Sequence, residues 1–513
     1  MFAFMADAAT HHGVPVQRID THGAVVFLAG AIALKIKRAV KYPYLDYSTL
    51  ARRKLACEQE LEINRRFAPQ IYRGLRAVRQ SPDGTLSIDA DRADGEVIEW
   101  ALEMNRFDER KTVNHLAEQD ALPEALLREI ADVIAASHDS APRADHASWI
   151  ASVERIIAGN TAAFVAAGFD AGPTAALDQA SRAAFARRQA LLQQRGSAGD
   201  VRRCHGDLHL ENIVVIDGHP VLFDAIEFDP VIASIDVLYD LGFALMDLMH
   251  YRRCAAACTV FNRYLEVSGD RHLDALSLLP LLLSMRAAIR ANVLLARPTR
   301  DEAQRRAIRA LSDSYFDLAC RLIAPAPPRL IAIGGLSGTG KSLLARMLAA
   351  DIAPLPGAVV LRSDVARKRH FQVADTVRLG ADAYQPEVTE AVYAGLAQRA
   401  ARILAQGHSV IVDAVFAREP ERAAIAKVAA AAGVPFHGLF LTADLATRIA
   451  RIAQRRGDAS DATEAVARSQ QHYDLGSMTF AEIDASGTPE QTRQRAQAAL
   501  GKTLAGTDQR CST

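Results

Sequence analysis

Long apolar runs, an excess of charge of either sign and a cysteine framework are all missing from this sequence of 513 residues. A helix needs ~18 uncharged apolar residues to cross a bilayer. The richest run, Leu276 to Met285, is shorter than that, so no membrane span is expected. The N-terminus Met1-Phe2-Ala3-Phe4-Met5-Ala6-Asp7 has no basic region followed by a long apolar core, so no secretory leader is expected either. Sixty Lys and Arg residues balance sixty Asp and Glu residues, for a formal net charge of zero. No global field then favours nucleic acid or an anionic membrane, and small ligands are the expected partners. Six cysteines, at 57, 204, 254, 258, 320 and 511, show no disulfide-like spacing, and Cys254-x-x-x-Cys258 has no partner pair at zinc-ligand spacing. They read as the reduced thiols of a cytoplasmic protein.

What is present begins with Gly335-Leu336-Ser337-Gly338-Thr339-Gly340-Lys341-Ser342, which satisfies G-x-x-x-x-G-K-[ST] at every position. The apolar run Leu330 to Ile333 before it is of buried-strand type, and Leu343, Leu344, Met347 and Leu348 after it recur at helical spacing. Glycines let the backbone turn its N–H groups inward at phosphate oxygens, beside the positive end of a helix. Lys341 is expected to reach the β and γ phosphates, and the Ser342 hydroxyl to face Mg²⁺, a cation that prefers oxygen ligands. Further strands at Val359 to Leu361, Ser409 to Val412 and Phe436 to Leu441, each followed by a helical pattern, predict a parallel sheet covered on both faces. Asp413 ends one of these strands, where its carboxylate can hold Mg²⁺ or its water opposite Ser342. Asp364, just past another, is placed to act as general base on an acceptor hydroxyl. Arg448, Arg451, Arg455 and Arg456 share one predicted helix, a basic face able to close over ATP with Arg451 and Arg455 on its phosphates.

The N-terminal half holds a second centre. Ala24 to Leu28 and Ile32 to Lys37 read as a hairpin whose alternation puts Lys35 and Lys37 on one face and Leu34 and Ile36 on the other. A helix at about Thr49 to Phe67 carries Glu58, Glu60 and Glu62, at least one of which can face a hairpin lysine. Strands at Ser87 to Ala90 and Val97 to Met104 complete a small antiparallel sheet. A nearly all-helical stretch from His115 to Arg195 is interrupted by His205-Gly206-Asp207-Leu208-His209-Leu210-Glu211-Asn212. Its H-x-D-x-x-x-x-N spacing places an aspartate that orients an acceptor hydroxyl five residues before an asparagine that holds a metal. An apolar hairpin, Ile213 to Phe223, then delivers Asp224. Pro325-Ala326-Pro327-Pro328 is a stiff break between the halves.

On these motifs, residues 20 to 320 resemble the aminoglycoside phosphotransferase and choline kinase branch of the protein-kinase-like fold. The resemblance implies an α+β two-lobed domain over 1–324, with a small lobe at about 20–105 and a large lobe at about 106–324. It implies Asp207 as catalytic aspartate, Asn212 and Asp224 as Mg²⁺ ligands, Lys35 as phosphate-binding lysine with Lys37 its rival, and Glu60 as the lysine's helix partner. Asp240 resembles that branch's buried aspartate, which braces the catalytic loop. Asp224-Ala225-Ile226 stands where protein kinases have D-F-G, and no G-x-G-x-x-G covers the hairpin; both departures suit the small-molecule branch. Residues 115 to 200 lack an acidic block dense enough for a polycationic antibiotic.

Residues 329 to 500 resemble the P-loop small-molecule kinases, among them gluconate kinase, shikimate kinase, zeta toxins and the kinase part of polynucleotide kinase. An α/β P-loop NTPase domain over 325–500 and a disordered tail at 501–513 are therefore expected. The tandem resembles bacterial proteins described as bifunctional aminoglycoside phosphotransferase and ATP-binding proteins. The expected activity is ATP- and Mg²⁺-dependent phosphoryl transfer to hydroxyl groups of small molecules at two sites. One alternative makes the N-terminal half a ligand-binding regulator of a single P-loop kinase. A polynucleotide 5'-kinase is the other, and the lack of a basic stripe with interleaved aromatics counts against it.

Overall fold

Period-two alternation builds the first sheet. Strands β1 (Val16–Asp20), β2 (Ala24–Ala29) and β3 (Ile32–Lys37) are followed by a two-stranded ribbon, β4 (Lys41–Tyr42) with β5 (Leu45–Asp46), and then by β6 (Tyr72–Gln80), β7 (Leu86–Ile88) and β8 (Glu96–Asn105). The six-stranded antiparallel sheet runs β1-β2-β3-β8-β6-β7. The chain is described from a computed structural model at all residues except 22, 43–44, 89–94, 298, 300, 455–458 and 502–513. The end of the expected strand at 89–90, Arg455 and Arg456, and the expected tail from 502 onward therefore lie outside the described residues.

Gly30, at φ 57°, makes the turn between β2 and β3, a left-handed conformation that a residue without a Cβ adopts freely. Val25, Phe27, Leu34 and Ile36 pack with Met5, Val78 and Ala101 on one face. The opposite face presents Lys35 and Lys37 to the helix Leu50–Phe67, whose N-terminus is capped by Thr49. Alternation in the sequence finds β2, β3 and β8 but overlooks β1 and β6. In β6 the reason is Arg73, Arg76 and Arg79, of which Arg73 and Arg76 both pair with Glu103 on β8. Cross-strand charge pairs thus stand beside the buried Val78 in that strand.

Beyond the sheet come the helices Glu124–Ser140, His146–Ala166 and Ala171–Ala198. β9 (Val201–Arg203) pairs with β12 (Ser234–Asp236), and β10 (Ile213–Ile216) forms a hairpin with β11 (His219–Leu222). The loop His205–Asn212 runs between β9 and β10. Met1–Asp247 with Met285–Phe316 makes one compact unit, and Leu248–Ser284 with Asp317–Thr513 makes a second.

The second unit contains the parallel sheet that strand and helix alternation predicts. β13 (Leu330–Gly335), β14 (Val359–Arg362), β15 (Val410–Asp413), β16 (Phe436–Thr442) and β17 (Ala481–Asp484) lie in the order β14-β15-β13-β16-β17. Leu330 to Ile333 and Val410 to Val412 are fully buried, as strands covered on both faces must be. Residues from the 248–284 stretch close one edge of this sheet. Asn262, on helix Cys254–Val267, donates Nδ2 to the Ala358 carbonyl at 3.0 Å and accepts from Val360 N at 2.7 Å. One side-chain amide thus satisfies edge-strand groups that a further strand would otherwise take. Asp274 and Asp270 of the same stretch pair with Arg402 and Arg399, at 2.7 and 2.8 Å.

Among the described residues one helical run, Gly269–Leu295, is long and apolar enough to cross a membrane, and it lies largely buried within the protein. It exceeds the run expected from sequence because it continues through Arg286 and Arg290, both buried. Cys57, Cys204, Cys258 and Cys320 are free thiols.

Two candidate active sites

In the first unit, Lys35, Asp207 and Asp224 line one cleft of about 210 Å³, together with Lys37, Tyr47 and Glu227. Lys35 Nζ lies 2.7 Å from Glu60 Oε1 and 2.7 Å from Asp224 Oδ1. Lys37 Nζ lies 2.5 Å from Glu60 Oε2 and also pairs with Glu227. Of the three glutamates on the helix, only Glu60 turns inward to these lysines; Glu58 and Glu62, four apart and so on one shared face, are exposed on the other side. Burial opposes the charge of Glu60, but Lys35 and Lys37 outweigh it and hold the carboxyl low. Burial likewise opposes the lysine charges, and the carboxylates overcome it, so both ammonium groups stay protonated.

The loop between β9 and β10 is braced from below. Asp240, completely buried, accepts from Gly206 N at 2.9 Å and His205 N at 3.2 Å, and His138 Nε2 lies 3.1 Å from it. Gly206 sits at φ 85°, and a Cβ there would stand 2.8 Å from that of Ala233, so the turn requires glycine. His205 Nε2 meets the Phe223 carbonyl at 2.9 Å, tying the loop to the end of the β10–β11 hairpin. Asn212 Nδ2 donates to the Asp207 carbonyl at 2.9 Å and to its Oδ2 at 3.1 Å. Burial works against the Asp207 charge, but His209, 3.3 Å away, and His205 and Arg290 outweigh it, so the carboxyl is held well below its ordinary range.

Asp224 takes the left-handed conformation, φ 60°, and its backbone N–H donates to Tyr72 Oη at 3.1 Å. Asn64 holds the next residue, accepting from Ala225 N at 2.7 Å. Asn64 follows Glu60 by one helical turn, so the helix that supplies the lysine partner also fixes the loop carrying Asp224. These partners fit a hard cation at Asp224. The Asp224 side chain is 43% exposed to the cleft, and since both Asn212 bonds are made by Nδ2, its Oδ1 is the atom available to a metal.

In the second unit the P-loop leaves β13 and enters helix Lys341–Ala349, which starts at Gly340 with no side-chain cap. Its first amides thus have the geometry of an anion site. Gly338 and Gly340 lie at φ 87° and 96°; a Cβ on Gly338 would stand 2.5 Å from the Arg448 carbonyl oxygen. Ser342 Oγ donates to Asp413 Oδ2 at 2.5 Å. Arg362 Nε lies 3.6 Å from the same carboxylate. Asp364 occupies the first turn of helix Ser363–His370. Burial raises its pKa, the charge of Asp413 raises it further, and Lys341, Arg362 and Ser460 only partly offset them. A carboxylate whose charge is disfavoured is a stronger base than an ordinary one.

Leu336, Ser337 and Thr339 shape the loop by internal contacts. Leu336 O accepts from Thr339 Oγ1 at 2.8 Å and from Lys341 Nζ at 3.3 Å, and Ser337 N donates to Gln470 Oε1 at 2.8 Å. Arg448 is buried and donates to the Ser337 carbonyl at 2.8 Å. Arg451 spans the Thr339 and Gly487 carbonyls at 3.4 and 2.9 Å. It lines a cavity of about 340 Å³ with Gly338, Thr339, Gly340 and Ser342. Asp461 is held by Lys368 Nζ at 2.6 Å, Tyr384 Oη at 2.8 Å and Leu379 N at 3.2 Å.

Tyr47, Asn64, Tyr72 and Gln470 carry no motif, and only Asn64, one turn from Glu60, could have been inferred from spacing. A lysine paired to a helix glutamate, beside a loop holding Asp207 and Asn212, defines a kinase-like phosphotransferase domain; the uncapped P-loop helix on a parallel sheet defines a P-loop NTPase domain. Comparison with known proteins agrees with both. Residues 47–279 match the model of the phosphotransferase enzyme family, and residues 330–474 match that of an AAA domain. The chain is a phosphotransferase enzyme that carries a domain similar to the phosphotransferase enzyme family ahead of a P-loop domain similar to the AAA model.

Uncharacterized proteins of Mycobacterium tuberculosis and Mycobacterium bovis are each 29% identical to it over 492 residues, 92% of this chain and 93% of theirs. Among solved structures, a choline/ethanolamine kinase family protein from Mesorhizobium loti is 15% identical, covers 63% of this chain and 97% of its own, and has a TM-score of 0.37. A gluconokinase from Sinorhizobium meliloti 1021 is 19% identical, over 35% of this chain and 94% of its own, with a TM-score of 0.26. The Mycobacterium tuberculosis APS kinase CysC is 25% identical, over 34% and 99%, also with a TM-score of 0.26.

Proposed function

We propose that each half transfers the γ-phosphoryl group of ATP to a hydroxyl group of a small molecule. The observation that carries the reading is convergence: Lys35 and Asp224, 189 positions apart, meet at 2.7 Å in the cleft that Asp207 also lines. In the first site Lys35 binds phosphate and Asp207 orients the acceptor hydroxyl. Asn212 and Asp224 are its Mg²⁺ ligands. In the second site the P-loop amides and Lys341 bind phosphate, Ser342 and Asp413 hold Mg²⁺ or its water, Asp364 is the general base, and Arg451 stands beside the nucleotide. Mg²⁺, when bound, offsets charge building up on the transferred group, and the protein's share is positioning and electrostatics.

A regulatory N-terminal half is the second reading; what favours catalysis over it is that Asp207 lines the same cleft as Lys35 and Asp224. The test is ATP consumption by the full chain against a library of hydroxylated metabolites, repeated with Asp207→Asn and with Lys341→Ala. Two acceptors, each lost with one variant, are expected. Loss of all turnover with Lys341→Ala alone would reduce the first half to a regulator.

A further inference from the structure

Three donors in the second unit converge on one carboxylate beside Asp364. Lys368 Nζ lies 2.7 Å from Asp461 Oδ1 and 2.6 Å from its Oδ2, and Tyr384 Oη and Leu379 N donate to Oδ2 at 2.8 and 3.2 Å. The Lys368 side chain is 1% exposed, and among the described residues Asp461 is the carboxylate that pairs with it. Arg367 lies over the Tyr384 ring at 4.7 Å and donates to the Ala383 carbonyl, which fixes the tyrosine in place. Burial works against the Asp461 charge, but the three donors outweigh it and hold the carboxyl low. This donor set therefore favours an anion.

Lys368 follows Asp364 by four positions on helix Ser363–His370 and so shares its face. Ser460 and Asp461, adjacent in sequence, span that pair: the Ser460 hydroxyl hydrogen-bonds to Asp364 while the Asp461 carboxylate sits on Lys368. An acceptor hydroxyl that reaches Asp364 takes the place of Ser460. Neighbouring Cα atoms are about 3.8 Å apart, so moving Ser460 aside also draws Asp461 off Lys368. A neutral acceptor would then leave a buried ammonium unpaired, at a severe desolvation cost, whereas an acceptor with its own carboxylate or phosphate would not. We infer that the second site takes a small hydroxylated anion, whose charged group replaces Asp461 on Lys368, Tyr384 and Leu379 N as its hydroxyl replaces Ser460 on Asp364. The hydroxyl proton passes to Asp364 as its oxygen takes the γ-phosphoryl group and ADP leaves. The inference rests on the P-loop kinase reading of this site, with Asp364 as base.

The test titrates the full chain with glycerate, glycerol phosphate and glycerol, which differ in the charged group, and follows calorimetry and thermal melting. Asp461→Asn removes the internal carboxylate. At least one anion should bind that variant about tenfold more tightly than the wild-type chain and raise its melting temperature, while glycerol does neither. Preference for glycerate identifies a carboxylate acceptor, and preference for glycerol phosphate a phosphorylated one. Adding Lys368→Met to Asp461→Asn should cancel the gain.

Anion binding that does not tighten in Asp461→Asn overturns the inference, and so does an equal gain for glycerol; either makes the Lys368–Asp461 pair structural only. If Asp461→Asn does not fold, Tyr384→Phe replaces it. Loss of that donor should weaken anion binding to the otherwise wild-type chain about threefold or more, and unchanged or absent anion binding is equally contrary. A chain whose ATP binding is untouched by Lys341→Ala sinks the P-loop reading and the inference with it. One that loses ATP binding with Lys341→Ala but shows no preference for anions sinks the inference alone.

Discussion

Ser342 Oγ and Asp413 Oδ2 are 2.5 Å apart although 71 positions separate them. The contact follows from register. Ile333 of β13 lies opposite Asp413 of β15, so the strand end that carries the carboxylate stands beside the strand that launches the P-loop. A hydroxyl and a carboxylate meeting at an uncapped helix start are suited to share one hard cation.

Lys341→Ala should abolish phosphoryl transfer at the second site and leave folding intact, because the lysine ammonium meets the Leu336 carbonyl of the loop at 3.3 Å. The assay is ATP binding and turnover on the full chain, with circular dichroism as the folding check. Turnover at the second site close to wild type would remove the P-loop from the mechanism.

Asp207→Asn and Asp224→Asn should separate. The first should stop transfer but spare ATP binding, and the second should raise the Mg²⁺ needed for binding, since in the proposed division of roles one carboxylate orients the acceptor and the other faces the metal. Calorimetry with and without Mg²⁺ distinguishes them, and the same phenotype in both variants would contradict the division of roles.

The acid limbs of the two activities should differ. Asp207 is held ionised, so its base form survives as pH falls below the ordinary carboxylate range, and the stability its charge contributes, full above the unfolded carboxyl pKa, is lost as pH falls from there through the depressed folded pKa. Asp364 is pushed up by burial and by Asp413, so its base form is lost at higher pH. Rate profiles for each acceptor should place the second site's acid limb above the first's. Asp364→Asn should slow transfer by about 10² or more, with ATP binding unchanged; Asp413→Asn should shift the Mg²⁺ dependence instead.

His408 should make the second unit acid-sensitive. Burial lowers its pKa to about 4, a shift that its contact with the Gly357 carbonyl, at 2.9 Å, only partly opposes. A histidine kept neutral in the fold contributes fully above its unfolded pKa, near 6.5, and that contribution is lost as pH falls from there through about 4. The effect is at most about 3 kcal/mol. Thermal melts from pH 7 to pH 4 should show it, and His408→Gln should flatten the trend.

Asn262→Ala should destabilise the second unit by about 1–3 kcal/mol, because it leaves the Val360 N–H of β14 and the Ala358 carbonyl just before it without that partner. Denaturant unfolding of the full chain checks this. For the same reason a fragment starting at 325 should be less stable than that unit in the whole chain.

What the sequence determined by itself is the chemistry that lies in contiguous motifs: the P-loop, the loop from His205 to Asn212, the hairpin with Lys35 and Lys37, and a parallel sheet read from strands alternating with helices. Local spacing suffices there because backbone turns and alternation set those geometries. Tertiary structure alone decided the rest. It joined Lys37 to Glu227 and Tyr47, turned Arg448 and Arg451 onto P-loop carbonyls, and brought Asn262 to the edge of a sheet about a hundred positions away. Charged and amide side chains take whatever partner burial makes obligatory, and which partner that is depends on packing between distant segments that no local pattern encodes.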